Sequence, residues 1–273
     1  MSDYSLYKIT LILYIISEQS LTTFFLKGVI HMDPIIQLRD LSKSFGSQNV
    51  LQTINLNIPK GQIYGLLGPS GSGKTTIIKL MIGLETPSSG TVTFKGNKLK
   101  AGDLYPTIGY MAQSDALYDE LTAKENLSFM ASLYGLKKNE RKAQIEKVMN
   151  TVDLLEHLNK PVHQYSGGMK RRLSLAIALL HDPEVLFLDE PTVGIDPVLR
   201  KEIWDSFHRL KEEGRTLIIT THVMDEAERC DVLGLLQHGE IISSDTPAGI
   251  KETYGVTSIE EVFLKNGGVS VEN

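Results

Sequence analysis

The chain has 273 residues, 41% of them hydrophobic and 22% charged, and its 28 basic and 33 acidic side chains leave a net charge of −5. This composition excludes a collagen-like, low-complexity or wholly disordered chain, and with no run approaching ~18 consecutive apolar residues it excludes a polytopic membrane protein. Mild acidity argues against nucleic acid as a partner, because phosphate-backbone binders concentrate positive charge; the single cysteine, Cys230, can form no intrachain disulfide and fits a reducing cytoplasm.

Residues 1–32 come first in chain order, as an extension. Ile9–Ile16 and Leu21–Ile30 are mostly apolar, but Ser17-Glu18-Gln19-Ser20 and Lys27 break them and no small-residue cleavage site follows. The segment is expected to lie outside the fold, either simply appended or as an amphipathic helix on a membrane or partner. The folded domain is placed at 33–265, with a tail at 266–273. Ile35–Leu41 and Asn49–Ile58 predict antiparallel strands around Phe45-Gly46-Ser47. Ile63–Leu67 predicts a short strand, then a glycine-rich turn and a helix over Lys74–Leu84; Thr91–Phe94 and Thr107–Ala112 predict further strands. From Ser114 to Tyr165 helical periodicity prevails. Thr122 reads as an N-cap with an acid in the first turn, and Arg141–Leu155 sets Ile145, Val148, Val152 and Leu155 on one face. Glu184–Leu188 and Thr216–Thr220 are strands each preceded by a helix, the βαβ signature of a parallel sheet. The expected fold is α/β: a mostly parallel sheet, an N-terminal antiparallel β subdomain, and a helical subdomain at about 114–165.

Three motifs carry chemistry. Gly68-Pro69-Ser70-Gly71-Ser72-Gly73-Lys74-Thr75 fits G-x-x-x-x-G-K-[ST] completely, and Thr76 continues it. Its glycines let successive N–H groups curl inward as an anion nest at a helix N-terminus. Lys74 adds charge for the β- and γ-phosphates, and the Thr75 hydroxyl can ligate Mg²⁺. The loop alone points to a nucleoside triphosphate and not to a particular reaction, and the expected core is that of a P-loop NTPase fold. Val185-Leu186-Phe187-Leu188-Asp189-Glu190 ends an apolar strand in two acids at the C-terminal edge of a parallel sheet, where α/β ligand sites lie. Asp189 can hold Mg²⁺ through water, and Glu190 is suited to orient the attacking water. Ser166-Gly167-Gly168 opens a second helix with an N-cap serine and exposed N–H groups, another anion-binding start. Taken alone it is a common turn; beside a phosphate loop it suggests two subunits sharing each nucleotide.

Together with Gln113 after a strand, Gly194-Ile195-Asp196 and His222, these motifs stand in an order that resembles the nucleotide-binding subunit of an ATP-binding cassette (ABC) transporter, over roughly Ile35 to Phe263. The resemblance implies that Phe45 stacks on adenine and that Gln113 reaches the metal and nucleophilic water. It implies that Glu190 is the catalytic carboxylate, that His222 contacts the γ-phosphate, and that Asp196 belongs to the loop linking two sites across a dimer. Ser166, Gly167 and Gly168 would close on the ATP of the opposite subunit. The candidate catalytic set is thus Glu190, His222, Gln113 and Lys74, with Thr75, Gln113 and Asp189 toward Mg²⁺. Tyr165 and Met169 replace the commoner leucine and glutamine of the signature, and Phe45 replaces a tyrosine. With Lys170-Arg171-Arg172 and Ile259-Glu260-Glu261-Val262-Phe263, these departures resemble the exporter-type subclass, whose ATPases pair with a separate polytopic permease at the cytoplasmic face of the membrane. Expected partners are ATP with Mg²⁺, that permease, and a second copy or a homologous ATPase. An importer ATPase, or a non-transport ABC protein, is the alternative.

Overall fold

The computed structural model describes residues 34–99, 104 and 107–266, so the extension expected at 1–32 and the tail beyond Asn266 lie outside the described residues. Strand β1 (Ile36–Phe45) turns through Gly46-Ser47 into β2 (Gln48–Ile58), with Phe45 paired to Gln48. With β4 (Ser89–Phe94) and the short β5 (Asn97–Lys98) they form an antiparallel sheet in the order β2-β1-β4-β5. The second sheet contains β3 (Ile63–Leu67), β6 (Ile108–Met111), β7 (Val185–Asp189), β8 (Thr216–Thr221), β9 (Val232–Gln237) and β10 (Glu240–Asp245). Its order is β10-β9-β3-β8-β7-β6, and every neighbouring pair is parallel except β10 on β9.

The central strands are apolar throughout because both of their faces are buried. Successive side chains alternate between two cores. Ile63, Leu67, Leu186, Leu188, Leu217 and Ile219 enter one; Tyr64, Leu66, Val185, Phe187 and Ile218 enter the other. The first core is closed by α4 (Gly167–Leu179), α5 (Pro197–Glu212) and the helices α2 (Ala123–Leu133) and α3 (Lys138–Thr151). The second is closed by α1 (Lys74–Met81) and the antiparallel sheet. Short helices α6 (Met224–Ala227), α7 (Pro247–Tyr254) and α8 (Ile259–Asn266) complete the described residues. Among the described residues no helix is long and apolar enough to cross a membrane.

Two helices end earlier than their periodicity predicts. The helix expected over Lys74–Leu84 stops at Met81: Gly83 takes φ 74°, and the Leu84 N–H turns back to the Lys79 carbonyl, a Schellman ending. The face expected over Arg141–Leu155 breaks at Asp153, whose φ of 53° ends α3; Leu155 falls in a 3₁₀ turn and is 37% exposed, while Ile145, Val148 and Val152 are buried as expected. Thr122 caps α2 as read, reciprocally with Glu125. The hairpin β9–β10 and helices α7 and α8 were not anticipated. Cys230 is buried, its Sγ against β3 where a Cβ on Gly65 would lie 2.6 Å away, and burial pushes its thiol pKa well up. It is a packing residue.

Candidate active site

The sheet order assembles the site. Strands β3, β8, β7 and β6 are consecutive neighbours and run in the same direction. Their C-terminal ends therefore deliver, side by side, the phosphate loop, His222, Asp189-Glu190 and Gln113. Backbone bonds lock the row: the Gly68 N–H donates to Thr221 O at 3.3 Å, and the Glu190 N–H to Thr220 O at 3.1 Å.

Glu190 is the convergence point. Its Oε2 accepts from Gln113 Nε2 at 3.0 Å, and its Oε1 lies 3.2 Å from His222 Nδ1 and 3.5 Å from Lys74 Nζ. The residue has φ 50°, a left-handed conformation in which a glutamate is strained by about 1–3 kcal/mol. Such a turn aims the side chain out of the strand, across the mouth of the phosphate loop, instead of into the core. Burial holds the Lys74 ammonium below the usual lysine range, while the charges of Glu190 and Asp189 pull it back up. Its Nζ also donates to Gly68 O at 2.8 Å and Pro69 O at 3.0 Å, folding over the loop. Gly73, at φ 108°, lets the chain enter α1 there; a Cβ would meet Leu51 of β2 at 2.6 Å. That contact seats the β1–β2 hairpin, which carries Phe45, against the phosphate loop. Phe45 is 46% exposed, with Lys43 Nζ 4.6 Å from its ring centroid. Lys43 is itself held by Glu85 Oε2 at 2.9 Å and Thr86 O at 2.8 Å.

The metal expectation can be tested on Asp189. This fully buried carboxylate accepts the Thr220 hydroxyl on Oδ1 at 2.5 Å, while its Oδ2 has no hydrogen-bond partner. A buried, unpaired carboxylate oxygen near a phosphate loop suits a hard cation that prefers oxygen ligands. The described residues contain no group of three His, Cys, Asp or Glu side chains able to cage a metal alone, so phosphate oxygens and water would have to complete the shell. The residues fit Mg²⁺ arriving with a nucleotide.

The signature residues stand apart from this cluster. The Ser166 hydroxyl caps α4 by accepting from the Met169 N–H at 3.2 Å, and no hydrogen bond or ion pair among the described residues joins Ser166, Gly167 or Gly168 to Lys74, Glu190 or His222. Gly167 is exposed, with nothing within 4 Å of where a Cβ would be, whereas a Cβ on Gly168 would meet Leu199 of α5 at 2.0 Å. Asp196 is the N-cap of α5, accepting from the N–H groups of Val198 and Leu199.

Sequence reading missed two residues that hold the site together. Arg171 is 6% exposed, and its guanidinium spans the backs of two site loops. Nε donates to Pro191 O; Nη1 to Ala112 O, Gln113 O and Asp115 Oδ1; Nη2 to Asp189 O and to Glu190 O at 2.7 Å. Its signal was a helical one: Arg171 heads the stripe Leu175, Ala178 and Leu179, all buried. The second is Asn126, 1% exposed, which grips the loop after Gln113 through Tyr118 N and O and Thr122 O.

Known proteins align with this arrangement. The family model described as ABC transporter matches residues 51–193. The probable multidrug ABC transporter ATP-binding protein YbhF of Escherichia coli is 40% identical over 221 residues, 80% of this chain, and this chain spans only 38% of that relative's length. The linearmycin resistance ATP-binding protein LnrL of Bacillus subtilis is 38% identical over 241 residues, covering 84% of this chain and 78% of its own. Among solved structures, one described as the ATP binding subunit of an ABC transporter superposes with a TM-score of 0.75 at 29% identity, over 85% of this chain and 98% of that one.

Proposed function

Because this chain belongs to the ABC transporter family, we infer that it is an ATP-binding subunit that hydrolyses ATP to power a separate membrane permease. The observation that carries this reading is the meeting of Lys74, Gln113 and His222 on one carboxylate, Glu190, beside a phosphate loop. The triphosphate lies along Gly68–Thr76, where the first-turn N–H groups of α1 have no intrahelical acceptors. Lys74 exchanges the Gly68 and Pro69 carbonyls for charged phosphate oxygens, a stronger pairing. That move also frees Glu190 from its cation. Thr75 and Asp189 would hold the Mg²⁺ that accompanies ATP, and that ion would supply neutralisation of phosphate charge. Glu190 orients the attacking water, Gln113 holds the other carboxylate oxygen, and His222 faces the terminal phosphate. Catalysis is positioning and electrostatics. Phe45 offers its open face to adenine, with Lys43 backing the ring.

Two subunits complete the machine. Gly167 leaves the start of α4 open to approach, so Ser166, Gly167 and Gly168 meet the nucleotide of a second copy or a homologous ATPase, with Asp196 in the loop between the two sites. The permease side is the groove of 480 Å³ beyond Gln113, apolar and lined by Leu84, Tyr110, Ala116, Leu117, Leu133 and Ile177. Leu133, 65% exposed, and Leu84, 48% exposed, border it. The subunit would act at the cytoplasmic face of the membrane, and relatives named for multidrug transport and linearmycin resistance support export as the direction.

The direct test is MgATP turnover by the purified chain, with Lys74→Ala beside it. ATP at about 100 times its Kd stabilises a folded state by about 2.7 kcal/mol. That raises Tm by roughly 5–10 °C for a domain of this size. Lys74→Ala should lose most of the ATP-dependent rise in a thermal-shift titration. An unchanged rise would refute the phosphate-loop assignment.

A further inference from the structure

Glu226 has no exposed surface, and the mechanism above gives it no task. A buried carboxylate is costly unless its oxygens are satisfied, so its partners reveal what it is held for. Oε1 accepts the Thr192 hydroxyl and lies 3.8 Å from Arg200 Nε; Oε2 accepts the Thr221 hydroxyl at 2.7 Å. Thr221 Oγ1 in turn accepts the Val223 N–H at 3.0 Å, so one hydroxyl fixes both neighbours of His222. On the other side, Thr192 follows Glu190 by two residues. Its carbonyl accepts the Ile195 N–H at 3.3 Å, and Arg200 Nη2 donates to Ile195 O at 3.3 Å. The turn leaving Glu190 and the turn carrying His222 are thus tied to one side chain that bonds to neither Glu190 nor His222.

We propose that Glu226 is a positioning residue, a carboxylate latch that clamps the Glu190 turn to the His222 turn and sets the spacing of the two side chains that face the terminal phosphate. The proposal rests on the ATPase reading above. Simple packing does not account for the arrangement. Thr192 and Thr221 are each 1% exposed, and both direct their hydroxyls at Glu226. An apolar trio of similar volume would fill the same space without desolvating a charge.

Methionine at 226 keeps the volume and removes both acceptors, whereas glutamine keeps one acceptor and can donate to the other hydroxyl. In the full-length chain, Glu226→Met should lower kcat for MgATP by about 10²-fold, the scale of a misplaced reacting group. KM should stay within about threefold, since nucleotide contacts are untouched. Glu226→Gln should restore turnover to within about tenfold of wild type, since the latch geometry survives. Wild-type kcat in Glu226→Met, or a loss that glutamine does not rescue, overturns the latch. Should the 226 variants fail to fold, Thr192→Val and Thr221→Val replace them. Non-additive losses in the double variant support one shared latch, and strictly additive losses overturn it. Amide hydrogen exchange at Val193 and Val223, measured without nucleotide, reads the latch independently of catalysis. Faster exchange in Glu226→Met supports it, and unchanged exchange overturns it even when the wild-type chain hydrolyses ATP normally. No turnover in wild type would instead strike the ATPase reading.

Discussion

Glu190→Gln is expected to reduce steady-state ATP hydrolysis by ~10²–10⁴, the usual worth of a positioned general base, while ATP binding persists. Three donors now surround this carboxylate: Gln113 Nε2 at 3.0 Å, His222 Nδ1 at 3.2 Å and Lys74 Nζ at 3.5 Å. A glutamine keeps the shape but offers one oxygen in place of two, and no charge to hold a water's proton. Its oxygen can stay toward Lys74 and His222 if the Gln113 amide flips to accept from the new NH₂. The fold should therefore survive with little change in Tm. Removing an anion beside a triphosphate also means ATP should bind at least as tightly as in wild type. Equilibrium binding and turnover measured on the same preparation separate the two effects. Wild-type turnover would refute Glu190 as the catalytic carboxylate, and lost binding would show that it serves the nucleotide site instead.

The second large effect is expected at Arg171. Arg171→Met should lower unfolding free energy by about 3–5 kcal/mol, the range for removing one partner of a buried charged network. Five carbonyls and the Asp115 carboxylate lose their donor together. Arg171→Lys should recover only part of the loss, since one ammonium cannot span the fork that reaches Gln113 and Glu190 at once. Urea denaturation with the m-value held constant measures the difference. A methionine variant within about 0.5 kcal/mol of wild type, the range of an ordinary surface change, would disprove the clamp.

The phosphate loop was legible because its chemistry is local: glycines, a lysine and a threonine must be contiguous to wrap a phosphate. The parallel strands were legible as apolar runs, and Thr122 and Ser166 as caps, for the same reason. Strand order was not, since nothing within Thr216–Thr221 states that it lies between β3 and β7. The meeting of Lys74, His222, Glu190 and Gln113 therefore came only by resemblance. The β9–β10 hairpin left a signal that went unread: His238 and Gly239, at φ 49° and 79°, form a two-residue turn between Gln237 and Glu240. Thr246 before Pro247 was likewise an unread helix start. Arg171 was hidden by its neighbours Lys170 and Arg172, identical in charge but more exposed, so only helical phase tells them apart. Glu226 had no such cue, because a four-residue helix shows no periodicity.

Helix α4 is a rod fastened at two points. Near its far end the Ala178 carbonyl presses on β6, where a Cβ on Gly109 would lie 2.1 Å away. Near its start, Arg171 is bolted to the carbonyls of Asp189 and Glu190. A rod fixed twice cannot pivot, and Gly167 overhangs the second bolt by only four residues, about 6 Å of helix. The signature therefore has a short, stiff reach relative to Glu190, and whichever way β7 shifts, the helix start shifts with it. The apolar groove beside Gln113 takes one wall from each fastened part, Tyr110 of β6 and Ile177 of α4, and another from Leu133 of α2, so of these three walls only α2 is held by neither fastening.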